Sequence, residues 1–147
     1  MSQHSVVKAM LGGLLGTLLQ TMMVYGVAPM MLGQPMDLAA MLEHSCAPGM
    51  LMHLLSGSML FPLGYVFLLS QRLPGSPVLK GTLWGALIWF VTEVIITPML
   101  GAEIFSAELG GLSAAMRALL GYLVYGATLG GIASAVEPEG RYVSHAV

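Results

Sequence analysis

The chain has 147 residues, of which five are Lys or Arg and seven are Asp or Glu, giving a formal net charge of −2. Charged residues make up 8% and hydrophobic residues 56%, whereas an ordinary soluble domain is roughly 25% charged. Too few polar residues remain to coat a water-facing surface, which excludes a soluble enzyme, a disordered segment and, with no basic patch, a nucleic-acid binder.

What remains is an integral membrane protein. A helix crossing a hydrocarbon core of ~30 Å takes about 20 mostly apolar residues. The sequence predicts an all-α, four-transmembrane-helix bundle forming one domain over residues 1–147. The first span runs from Val6 to Val27 and ends at Pro29. It is too long for a signal core and no small-x-small cleavage site follows it cleanly, so it reads as retained.

Between the first two spans, Gly33 to Gly49 is bounded by turn formers and places Leu38, Met41 and Leu42 on one helical face. Asp37 stands where it charges a first turn. A short interfacial helix is expected there. The second span runs from Met50 to Ser70, with Pro62 expected to kink it. Gln71 to Pro77 is a tight Pro/Gly loop. The third span starts at Leu79 and ends at Pro98, and the fourth runs from Leu112 to Val136.

Lys8, Arg72, Lys80 and Arg141 fall on one side of a four-span chain, whereas loops one and three carry Asp37, Glu43, Glu103 and Glu108 and no basic residue. The positive-inside rule then puts both termini in the cytoplasm. A bacterial inner membrane follows from this topology together with the resemblance given below.

Lipid supplies no hydrophobic drive between helices, so close contact needs small residues. They recur at helical spacing: Gly12 and Gly16; Gly57, one turn from His53; Gly81 and Gly85; and Ala114, Ala118, Gly126, Gly130 and Ser134. These are the expected helix-packing positions. The polar residues within the spans are few. Tyr25, His53, Glu93 and Arg117 all come within roughly 10 Å of the outer boundary at 1.5 Å per residue, and Tyr125 shares a helical face with Arg117. A charge inside a span costs about 2.5–3.5 kcal/mol on the insertion scale, so such groups pair or face a cavity. Glu93 and Arg117 are the expected pair, within a polar layer that either binds a ligand or fixes the packing.

Soft sulfur and imidazole suit copper, which makes His44, Cys46 and His53 the candidate metal ligands. Haem would have to use His53 with a Met. No cofactor is predicted, and without GxSxG, HExxH or P-loop motifs no catalytic residue is predicted either.

Pro35-Met36-Asp37, Ala39-Ala40-Met41-Leu42, His53 with Gly57, Leu73-Pro74-Gly75, Lys80-Gly81, Pro98 and Val124-Tyr125-Gly126-Ala127 occur in this order over nearly the whole chain. In these motifs the chain resembles an uncharacterised family of small four-helix bacterial membrane proteins. The chain departs from that pattern at Tyr122, where members often have His, and at Glu93, where an apolar residue is usual. The expected function is a non-catalytic accessory subunit packing in a homo-oligomer or a larger membrane complex. The alternative is a binder or carrier of a small ligand, haem or metal ion in an outer-side cavity around His53 and Glu93.

Overall fold

Lipid offers no partner to a main-chain N–H or C=O, so each apolar block must close its hydrogen bonds within itself as a helix. The computed structural model describes residues 3–27, 30, 48–70, 72, 75–99, 104 and 112–134. Among these residues all regular structure is helical. Four helices are long and apolar enough to cross a membrane: Ser5–Val27, Met50–Leu69, Pro77–Met99 and Ala115–Ser134. We call them spans one to four. The expected interfacial helix, with His44 and Cys46, lies outside the described residues, as do Glu103, Glu108 and the tail.

Proline shapes the spans in a repeated way. Its ring crowds the carbonyl four residues back and its nitrogen carries no hydrogen. In span two a five-residue π-helical segment, Ser56–Leu60, comes just before Phe61-Pro62, and the Phe61 N–H donates to the Ser56 carbonyl. In span three the π segment Thr92–Ile96 comes just before Thr97-Pro98, and the Thr97 N–H donates to the Thr92 carbonyl. In span one the π segment Met23–Val27 is followed in sequence by Ala28-Pro29. Widening the turn to a five-residue step draws carbonyls away from the ring, so the helix continues through the proline. The expected disturbance at Pro62 therefore takes the form of a wider turn. A further π segment, Tyr65–Leu69, has no proline behind it.

Spans two and three are joined by a turn with local locks. Gly75 takes φ of +117°, a conformation open to glycine. The Ser76 hydroxyl then caps span three by accepting from the Leu79 N–H at 3.3 Å. Pro77 occupies the first helical turn, where its missing N–H costs nothing. Lys80 Nζ donates to the Ser70 carbonyl at 3.0 Å, tying the start of span three to the end of span two.

Each span packs on its neighbour in sequence, and span four returns to span one. Gly81 of span three stands so close to span four that an added methyl would meet the Gly126 carbonyl and the Gly130 backbone. Gly85 likewise faces the Tyr122 carbonyl, Gly12 the Leu129 backbone, and Gly16 the Tyr125 ring. Gly13 of span one fits against Pro62, and Gly64 of span two against the Trp84 ring. The apolar core is Ala9, Tyr65, Val66, Trp84, Ile88, Tyr125 and Leu129. Most of these lie in the half of the bundle nearer the first residues of span one. The outward faces are apolar too, with Leu11, Leu60, Phe67, Phe90 and Leu120 all exposed, as a lipid-facing surface requires.

Candidate functional site

The other half of the bundle is polar inside. Span one carries Thr17, Gln20 and Thr21 on its inward side. Thr17 is fully buried and Gln20 nearly so. The hydroxyls climb the helix: Thr17 donates to the Gly13 carbonyl and Thr21 to the Thr17 carbonyl, each at 2.8 Å. This keeps both hydroxyls satisfied inside the bundle. Thr17 also fills the space beside Gly57, where an added methyl would meet its Oγ1.

His53 of span two reaches Thr21, with Nε2 3.4 Å from Oγ1. The single Thr21 hydrogen is already directed at the Thr17 carbonyl. Thr21 therefore accepts here, and His53 Nε2 donates. In the neutral ring Nδ1 is then the acceptor.

The deepest charge is Glu93, 5% exposed. It lies ~9 Å below Met99 at about 1.5 Å per residue. The Tyr122 hydroxyl of span four donates to Thr92 Oγ1 at 3.3 Å. Residues of spans three and four thus meet at Tyr122, and Gln20 of span one packs against the neighbouring Gly121. One turn toward the core, Trp89 Nε1 donates to the Ala115 carbonyl at 2.9 Å, binding spans three and four beside the cluster. Among the described residues no buried side-chain nitrogen or oxygen lacks a hydrogen-bond partner.

The expected layer is partly redistributed. His53 and Glu93 both face inward, but His53 is held by Thr21 of span one. Tyr25 lies one turn beyond Thr21 and is half-buried. The Tyr125 hydroxyl is committed to the Gly57 carbonyl at 2.7 Å. Arg117 shares the face of span four that carries Gly121, and Gly121 is packed by Gln20 and Val24 of span one. The face of span four turned to span three carries Ala115, Tyr122 and Gly126. Arg117 thus lies one turn from the point where span four meets span one.

Gln20, Thr92 and Tyr122 were not among the residues expected from sequence. Gln20 carried a usable signal: it is the one Asn or Gln inside a span, and it stands four residues from Gly16 on the face that meets span four. Tyr122 carried one as well, since it stands where members of the resembling family often have His, whereas Thr92 gave none. For metals, no group of three or more His, Cys, Asp or Glu side chains comes together among the described residues.

The chain belongs to a family of unknown function (DUF6789), whose profile matches residues 3–143. No curated protein and no solved structure matches it.

Proposed function

We propose that the protein is a non-catalytic integral membrane protein that holds a small polar ligand or ion between spans one, three and four. One observation carries this reading. Glu93 places a buried carboxylate within a membrane helix, next in sequence to Thr92, whose hydroxyl accepts from Tyr122 of span four. An ionisable group at that depth is costly and is usually retained for binding or transfer. Native mass spectrometry of protein released from membranes tests it. The wild type should carry a bound species that Glu93→Gln and Tyr122→Phe lose. A bare protein in every case would sink the reading.

An accessory-subunit role is the second reading. The small-residue faces are used within the bundle, so a partner would have to meet another surface. Span one offers one: Leu11, Leu14, Leu15, Leu18 and Met22 form a continuous exposed ridge, which suits a second copy or a larger membrane complex. Purification in mild detergent should then yield partners at fixed ratio, and a monodisperse lone species would count against it.

For topology we propose a bacterial inner membrane, both termini cytoplasmic, and an interfacial helix over loop one on the outer side. The distribution of Lys8, Arg72, Lys80 and Arg141 supports this. Cys46 is the sole cysteine, so an impermeant maleimide applied to spheroplasts should label it. Gly75→Cys in a Cys46→Ser background should stay unlabelled until the membrane is broken. The reverse pattern would invert the topology.

A further inference from the structure

We infer that spans two and three hold between them, in the half of the bundle nearer Met50 and Met99, a prenylated hydroquinone. Its phenolic hydroxyl donates to His53 Nδ1, and its hydrocarbon tail lies against Leu60, Val91 and Ile95. The site is separate from the Glu93 layer and does not depend on it.

Spans two and three part toward that end. In the other half they are tied together. The Trp84 ring packs on Gly64, Trp84 Nε1 donates to the Phe61 carbonyl at 3.0 Å, and the Tyr65 hydroxyl donates to the Pro77 carbonyl at 3.5 Å. Trp84 and Ile88 are buried there. Further along, the same faces are uncovered. Leu60, one turn from Gly64, is 65% exposed, and Ile95, two turns from Ile88, is 50% exposed. Ser56 and Val91 on these faces are half-buried. The π segments Ser56–Leu60 and Thr92–Ile96 fall where the faces separate, and a widened turn redirects a helix. The result is a cleft open sideways to lipid.

One polar atom stands at its edge. His53 precedes Ser56 by three residues and Leu60 by seven, so it borders this face of span two. The Thr21 hydrogen goes to the Thr17 carbonyl, so His53 Nε2 donates to Thr21 and Nδ1 is left as an acceptor. Nδ1 has no partner among the described residues. Every buried side-chain nitrogen and oxygen among them does have one. Nδ1 therefore lies on accessible surface, roughly 4.5 Å below Met50 at 1.5 Å per residue.

Charge and donor type select the occupant. His53, Ser56, Leu60, Val91 and Ile95 carry no formal charge, and an unpaired charge brought into a span is expensive. The head group is therefore uncharged. It must offer a hydrogen to Nδ1. A phenolic hydroxyl, with the acidity of tyrosine near ~10, is a stronger donor to imidazole than the aliphatic hydroxyl of a diacylglycerol. The oxidised quinone offers only carbonyl acceptors, which would face another acceptor. The cleft thus selects the reduced form. Leu60 and Val91 lie deeper in the bundle than His53, so head and tail are ordered as in an amphiphile of one leaflet.

The test is thermal unfolding of the purified protein in detergent with decylubiquinol under anaerobic, reducing conditions, against decylubiquinone and dioctanoylglycerol at equal concentration. Wild type should gain melting temperature saturably with the quinol, with an affinity about tenfold above that for the other two, the effect of one good hydrogen bond. His53→Phe should erase the preference for quinol over quinone. Leu60→Trp fills the cleft from its lipid side with His53 in place, and should weaken the binding of both forms even if His53→Phe fails to fold. Equal binding of quinol and quinone, or a preference that survives His53→Phe, would overturn the assignment. Dioctanoylglycerol binding as tightly as the quinol would overturn it too, as would a quinol that leaves melting unchanged.

Discussion

The Tyr125 hydroxyl of span four donates to the Gly57 carbonyl of span two at 2.7 Å, and so replaces a main-chain bond that Pro62 removes. In the π register of Ser56–Leu60 the Phe61 N–H bonds the Ser56 carbonyl. The next donor in that register would be residue 62, which has no N–H. A carbonyl left unmet away from water costs about 1–3 kcal/mol. A fully buried tyrosine from another helix meets it, and its ring packs edge-on against Phe61 with centroids 6.3 Å apart.

Tyr125→Phe should therefore destabilise the bundle by about 1–3 kcal/mol. The cost should shrink in a Pro62→Ala background, where position 62 regains an N–H for Gly57. Reversible unfolding in mixed micelles, followed by circular dichroism, gives the double-mutant cycle. Equal costs in both backgrounds would mean that the hydroxyl is not standing in for the proline.

Close approach of spans three and four should be intolerant at one glycine and permissive at another. Gly81→Ala brings a methyl onto the Gly126 carbonyl, and overpacking of this kind costs about 1–3 kcal/mol. At Gly131 the added methyl would meet only Val78 Cγ2, at an ordinary 3.7 Å. Gly131→Ala should be neutral or raise stability by up to about 1 kcal/mol through helix propensity. The same unfolding assay compares them, and equal losses would show that the interface is looser than described.

If Glu93 and Arg117 form the ion pair expected from sequence, Glu93→Gln should destabilise the bundle and Glu93→Gln/Arg117→Met should recover part of that loss. Purely additive losses would refute the pairing.

Thr92→Val and Tyr122→Phe remove the two ends of one hydrogen bond. Each should cost about 0.5–1.5 kcal/mol, and the pair should cost less than the sum. Strict additivity would argue that Tyr122 depends on Gln20 or Glu93 rather than on Thr92.

The spans were legible because they depend on length and apolarity alone. Their observed ends stay within a few residues of those read from the sequence, and the family match agrees with the resemblance carried by its short motifs. Gly16, Gly57, Gly81, Gly85, Gly126 and Gly130 approach other helices closely, Gly12 less so, an added methyl there standing 3.2 Å from its neighbour, and Gly13, packed on Pro62, is a close approach not among the positions expected from sequence. The others are visible as small residues at helical spacing, since only a missing side chain lets backbones meet. The rarity of charge likewise drew attention to Glu93.

Which groups share an interface was not legible. The similar depth of Glu93 and Arg117 can be read from the sequence, but an α-helix turns about 100° per residue, so depth leaves the facing neighbour open. Tyr122 and Tyr125 differ by three positions, yet one serves Thr92 of span three and the other Gly57 of span two. The sequence by itself determined a membrane bundle of four apolar helices, because composition and block length answer to the bilayer. Only the tertiary structure decided that Tyr122 meets Thr92 while Tyr125 meets Gly57, because the rotation of each helix follows from which glycine admits which neighbour.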